Sequence, residues 1–267
     1  MKAKVNGIET HYEIHGPIDD PRGAPWLTFS HSLACSLRMW DGQVEAFKDK
    51  FRILVYDTRG HGASEAPKGP YTLDMLTDDL RQLLAELGIK KTHYVGLSMG
   101  GMIGQMLALK EPGLLDRVVL ADTGHAQTPE TIKQWEERIR TAETKGMEPL
   151  VQPTIERWFT PPFRDKPVVD TIRKLIRSTP VPGYVGCCHA ISKLNTTARL
   201  KDIRHPVLAI TGEQDAAAPG TRYIGENVPG AKFVSIAQAA HIANIEQAEA
   251  FNRALRDFLS SPASARA

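Results

Sequence analysis

Polar and apolar positions along the chain change rhythm several times, and each rhythm predicts an element. Residues 2 to 15 alternate through Val5, Ile8, Tyr12 and Ile14 around Asn6-Gly7, a pair that favours a two-residue hairpin turn, so two antiparallel edge strands are expected. Short continuous apolar runs then follow at Trp26-Leu27-Thr28-Phe29, Ile53-Leu54-Val55-Tyr56, Thr92-His93-Tyr94-Val95, Val118-Val119-Leu120-Ala121, Pro206-Val207-Leu208-Ala209-Ile210-Thr211 and Lys232-Phe233-Val234-Ser235-Ile236. Strands buried on both faces of a parallel sheet read this way. Between them the spacing turns helical. Leu37, Trp40, Val44 and Phe47 predict one helix, and Leu73, Leu76, Leu80, Leu83, Leu84 and Leu87 a stripe within 71–87 that stops at Gly88. Helices are also expected over 99–111 and, from Ala250, Phe251, Ala254, Leu255 and Phe258, over 246–259. The tail from Ser260 to Ala267 is small and polar and reads as frayed.

The alternation stops between Asp122 and about Leu200. Helical segments broken by prolines fill that interval, one of them opened by the cap pair Thr128-Pro129. The expected architecture is an α/β core built from 1–121 and 201–267, with a helical cap inserted at 122–200 over the strand ends.

The chemistry centres on Gly96-Leu97-Ser98-Met99-Gly100, which follows one predicted strand and opens one predicted helix. A serine in that setting sits on a sharp, strained turn with its hydroxyl exposed, and the glycines let neighbouring chain pass close. Ser98 is therefore the expected nucleophile. A serine hydroxyl needs an imidazole to take its proton and an acid to orient that imidazole. Among nine histidines, His241 lies between the last strand and the last helix, where a loop reaches back over a strand end. His205, His125 and His189 read as surface-loop or cap-packing residues, whereas His31 and His61 sit on strand-end loops and are candidates to line the pocket. Asp215 after the seventh strand gives the order Ser, Asp, His; Asp122 and Glu213 are the competing acids. The two oxyanion donors are expected from the amides of Met99 and of Leu33, in the loop after the third strand.

The basic and acidic residues nearly cancel at 33 and 31, and no basic run suggests a nucleic-acid footprint. A small neutral or anionic substrate is expected. Three cysteines, Cys35, Cys187 and Cys188, have neither disulfide nor zinc spacing; Cys35 reads as a small wall residue and the vicinal pair as cap packing. Neither a metal nor a cofactor is implied. No apolar run approaches the roughly eighteen residues of a membrane span, and no leader is read at Met1-Lys2-Ala3-Lys4-Val5, so a cytoplasmic protein is expected. In the helix that starts near Thr128, Ile132, Trp135, Ile139 and Ala142 share an apolar face, Arg138 borders it, and Arg140 points nearly away. If that face roofs the pocket, Arg138 is the cation for a substrate carboxylate and Trp135 a candidate contact; the alternatives are a solvated helix flank for Arg138 and, more often than ligand contact, core packing for Trp135. Trp158 is a further candidate contact.

The chain resembles the α/β-hydrolase fold superfamily, which implies a mostly parallel eight-stranded sheet with helices on both faces. Within it, Tyr56-Asp57-Thr58-Arg59-Gly60-His61-Gly62-Ala63-Ser64, the stretch from Gly96 to Gln105, Glu156-Arg157-Trp158-Phe159-Thr160, Gly186-Cys187-Cys188 and Asn244-Ile245-Glu246-Gln247 are similar to the 3-oxoadipate enol-lactonases. That resemblance implies hydrolysis of an anionic five-membered enol-lactone by a serine triad without a cofactor, with Ser98, Asp215 and His241 in the three roles. The loop His31-Ser32-Leu33-Ala34 stands where the family usually reads Asn-Ser-Leu-Gly. A carboxylesterase, a carbon–carbon bond hydrolase and a low-turnover ligand receptor are the other readings of the same pattern; a haloalkane dehalogenase would require Asp at position 98.

Overall fold

The computed structural model describes residues 1–17 and 23–261. Most of the tail read as frayed, from 262 on, lies outside the described residues. Eight strands form one sheet in the order β1-β2-β4-β3-β5-β6-β7-β8, where β1 is Lys2–Val5, β2 Ile8–His15, β3 Trp26–Ser30, β4 Arg52–Tyr56, β5 Thr92–Leu97, β6 Leu115–Ala121, β7 Val207–Gly212 and β8 Lys232–Ile236. The hairpin β1–β2 closes through Asn6 and Gly7, both at positive φ, which is what the Asn-Gly pair permits at lowest steric cost. Beyond the antiparallel β2–β4 pair every pairing is parallel. Every residue of β5 and β7 is buried, as expected of strands covered on both faces.

Helices α1 (Asp41–Phe47), α2 (Leu73–Glu86) and α3 (Met99–Lys110) precede β6. Thr72 caps α2 by accepting the Met75 amide, so the helix begins after Tyr71 and not at it. The single helix expected from Leu37 to Phe47 is instead a 3₁₀ turn, Leu37–Trp40, running into α1. Ser36 accepts the Arg38 amide and draws that first turn tight, which places Leu37, Met39 and Trp40 all in the core.

Between β6 and β7 come α4 (Pro129–Lys145), α5 (Glu148–Trp158), α6 (Pro167–Ser178) and α7 (Val181–Ile191). Helix α4 packs on α5 and α7, and α5 on α6. The chain then makes α8 (Ala218–Asn227), β8, a single turn α9 (Ala243–Glu246) and α10 (Ala248–Ser260). The final helix was expected to start at Glu246, but that residue ends α9, and Gln247 at φ −129° and ψ 55° separates the two. The reason is the Glu246 carboxylate, which turns inward and accepts the Thr160 and Ala240 amides at 2.8 Å each.

Candidate active site

The strands β3, β5, β6, β7 and β8 all end at the same edge of the sheet, and the loops that follow them carry Leu33, Ser98, Asp122, Asp215 and His241. In an open parallel sheet that edge is where ligands bind. Ser98 stands between β5 and α3 at φ 83° and ψ −105°, a conformation that costs an ordinary residue free energy and is held only where its surroundings impose it. Its neighbours explain the glycines. A Cβ on Gly96 would lie 2.2 Å from the Gly100 carbonyl oxygen, and one on Gly100 would lie 2.2 Å from the Ser30 carbonyl oxygen.

Ser98 Oγ is 3.0 Å from His241 Nε2, and His241 Nδ1 is 3.0 Å from both carboxylate oxygens of Asp215. Asp215 Oδ1 also accepts the Ala217 amide at 3.0 Å. Burial works against ionising Asp215, but the charge and hydrogen bond of His241 outweigh it and hold the carboxyl below its ordinary range. This arrangement can carry the serine proton to His241 while Asp215 stabilises the imidazolium. Glu213 is exposed and belongs to no such arrangement. The amides of Leu33 and Met99 make no hydrogen bond to another described residue. Met99 is the first residue of α3, whose positive dipole end favours negative charge at this point.

His31 and His61 do not line the cavity. Both are fully buried braces: His31 Nε2 accepts the Thr58 amide at 2.9 Å, and His61 Nε2 accepts the Ala34 amide at 2.9 Å. Each ring thereby ties the loop after β3 to the loop after β4. Burial keeps both neutral, pushing His31 down and His61, with help from the His31 charge, down to about 3. Ala34 takes φ 58° where the resembled family has glycine, so its amide can reach His61. Cys35, expected on the wall, is buried in the core, and burial raises its thiol far above the usual range. Cys187 and Cys188 are buried as well, with thiols raised by burial. His205, read as a surface-loop or cap-packing residue, is buried, with its Nε2 2.9 Å from the Pro112 carbonyl.

Above Ser98 lies a cavity of about 580 Å³ lined by residues that include Leu33, Trp135, Arg138, Thr154, Arg157, Trp158 and Tyr184. That volume suits a small ligand. Trp135, Arg138 and Trp158 thus stand where the sequence suggested. The Arg138 guanidinium lies 4.3 Å from the Trp135 ring centroid, and the Trp135 Nε1–H donates to Gln127. Sequence reasoning missed Arg157, although Thr154, Arg157 and Trp158 recur at helical spacing on one face of α5. Arg157 is exposed at the cavity mouth, yet desolvation by the surrounding protein and then the charge of Arg138 bring it down to about 10, still cationic at neutral pH, and its guanidinium donates to Thr154 Oγ1 at 3.2 Å. Neither arginine pairs with a carboxylate among the described residues. His125, read as a surface-loop or cap-packing residue, is on the loop after β6, stacked 4.2 Å from Tyr223 and bonded to Thr197, and it also lines the cavity.

A family model for the alpha/beta hydrolase fold matches residues 25–248. The chain belongs to that family. It is 36% identical over 257 residues to 3-oxoadipate enol-lactonase 2 of Acinetobacter baylyi, covering 93% of this chain and 92% of the relative. Among solved structures, the enol-lactonase from Burkholderia xenovorans LB400 is 40% identical with a TM-score of 0.93, covering 98% of this chain and all of the other. A thermophilic esterase from Thermogutta terrifontis, solved with malate bound, is 29% identical with a TM-score of 0.89, covering 97% of this chain and 98% of the other. This member of the family is a hydrolase. Among the described residues no helix is long and apolar enough to cross a membrane, and no group of three or more His, Cys, Asp or Glu could hold a metal ion.

Proposed function

We propose that this hydrolase opens a small anionic lactone, 3-oxoadipate enol-lactone, to 3-oxoadipate through an acyl-enzyme on Ser98. The observation that carries the substrate class is the pair of guanidiniums, Arg138 and Arg157, on the wall of the cavity above Ser98, neither of them in an ion pair with a carboxylate among the described residues. An anionic substrate supplies the missing charge, and a guanidinium offers its carboxylate a planar fork of donors. Similarity to two enol-lactonases supports the specific lactone.

In this reading residues 122–200 form a cap that roofs the pocket, and 1–121 with 201–267 form the catalytic core. His241 takes the Ser98 proton as Oγ attacks the lactone carbonyl, and Asp215 stabilises the imidazolium. The amides of Leu33 and Met99 hold the oxyanion. Collapse breaks the ring C–O bond, His241 returns its proton to the leaving enol oxygen, and the enol relaxes to the ketone. Water, activated by His241, then attacks the acyl-enzyme, restoring Ser98 and releasing the second carboxylate. Trp135 and Trp158 wall the pocket around the ring.

The deciding experiment is hydrolysis of freshly generated 3-oxoadipate enol-lactone by the purified protein, followed beside a neutral ester of similar size. A kcat/KM for the lactone no higher than for the ester would favour a second reading, a carboxylesterase, which the similarity to the Thermogutta enzyme supports.

A further inference from the structure

We propose that Asp122 is a neutral carboxylic acid that donates a hydrogen bond to Asp215 and so fixes the carboxylate that orients His241. The inference rests on the triad assigned above and adds to it a positioning residue. Asp122 follows β6, next to β7 in the sheet, and is completely buried. Its Oδ1 accepts the Gly212 amide at 2.8 Å and the Thr211 hydroxyl at 3.2 Å. No N–H or O–H donor among the described residues reaches its Oδ2. The neighbouring carboxyl is Asp215, which follows the adjacent strand β7, lines the same cavity and interacts with Asp122.

Two neighbouring buried carboxylates do not ionise together; one keeps a proton and donates a hydrogen bond through it to the other. The donors decide which. Asp215 faces His241 Nδ1 and the Ala217 amide and feels the charge of Arg157, all of which favour its ionised form. Among the described residues Asp122 has only the two donors on Oδ1 and no cation beside it, so the proton belongs on its Oδ2. Burial and the charge of Asp215 push its pKa the same way, well above the ordinary carboxyl value. A bare Oδ2 would be an unpaired buried charge; a protonated Oδ2 is a satisfied donor. The backbone at Asp122 is left-handed, at φ 47°, a conformation that asparagine tolerates and glycine adopts freely. Those two substitutions therefore separate the side chain's role from backbone strain.

Asp122→Asn keeps an acceptor for Gly212 and supplies an amide N–H to Asp215, so it should retain at least about a third of the wild-type kcat. Asp122→Gly removes the donor; a hydrogen bond to a charged group is worth about ten- to hundredfold in rate, and kcat should fall by that factor with KM little changed. Its acid limb in kcat/KM should move to higher pH, because an undonated Asp215 holds the imidazolium more tightly. The infrared spectrum of the wild type minus that of Asp122→Asn should contain the C=O stretch of a protonated carboxyl. An Asp122→Asn variant as impaired as Asp122→Gly, or an unchanged acid limb in Asp122→Gly, would overturn the proposal alone, as would absence of the infrared band. Asp215→Asn serves as the control: full activity there would overturn the triad, and the positioning role with it. Unfolding midpoints measured on all variants identify any loss that comes from the fold.

Discussion

Trp158 lies over His241, with ring centroids 6.0 Å apart and planes 29° from parallel, and its carbonyl accepts the Ile242 amide at 3.2 Å. The last residue of α5 is therefore bonded to the residue beside the imidazole. Glu246 adds a second tie, since the one carboxylate accepts the amides of Thr160, just beyond α5, and of Ala240, just before His241. Trp158→Ala should cost about 3–5 kcal/mol of stability, the usual range for emptying a buried aromatic site. It should also lower kcat by about hundredfold if the imidazole shifts by an ångström. Trp158→Phe should recover most of both. Urea unfolding together with kcat would show whether the ring only packs, in which case stability falls and kcat does not.

Ser98→Ala should leave the unfolding midpoint near that of the wild type, because the hydroxyl contributes one hydrogen bond and little packing. Its kcat should fall on the order of a million-fold. Asp215→Asn should cost about ten-thousand-fold by favouring the wrong tautomer of His241. A single-turnover assay with an active-site titrant measures both, and a Ser98→Ala protein with a tenth of wild-type turnover would remove Ser98 from its role.

The elbow was legible because its physics is local: the turn at Ser98 needs small neighbours within two residues, and Gly96 and Gly100 are in the sequence to be seen. Most of the strand runs were legible because burial on both faces fills them with apolar residues, Ile53-Leu54-Val55-Tyr56 and Val118-Val119-Leu120-Ala121 most plainly. What joins distant segments was not. Nothing near His61 in sequence tells that its ring accepts the Ala34 amide, and nothing near Glu246 tells that it bonds Thr160, so the brace and the break before α10 appeared only in three dimensions. Arg157 falls between these cases. Thr154, Arg157 and Trp158 carry the helical spacing, but Pro149 and Pro153 obscure α5 as a helix in the sequence.

The buried histidines should make the protein sensitive to mild acid. Below about 6.5 the unfolded chain binds a proton at position 61 that the native chain refuses until about 3, because burial and then the charge of His31 oppose it. More protons on the unfolded state mean that stability falls as pH falls through that window, by up to about 1.4 kcal/mol per pH unit for this one group, and is untouched by it above. His31, lowered by burial, acts in the same direction. His61→Gln keeps a carbonyl acceptor for the Ala34 amide but cannot be protonated, so its stability should vary less steeply between about pH 6.5 and 5. Parallel slopes for variant and wild type in urea unfolding would place the acid sensitivity elsewhere.

Arg138 and Arg157 make separable predictions because they are neighbours of like charge. Replacing either by glutamine removes a charge-assisted hydrogen bond to the substrate carboxylate, about ten- to hundredfold in kcat/KM for the anionic lactone. A neutral ester that meets only Ser98 and the oxyanion amides should lose less than about threefold, since nothing in its transition state touches either guanidinium. The double substitution should cost more than the product of the single losses. Removing one cation relieves the repulsion that crowds the other, so the survivor binds carboxylate better and masks part of each single loss, and the coupling should be visible in a double-mutant cycle. High salt should weaken the lactone reaction of the wild type more than that of the double variant. Equal losses on lactone and ester would assign both arginines to packing between α4 and α5, and no loss on either would move the carboxylate to another wall of the cavity, with His125 and Gln127 the polar groups to test next.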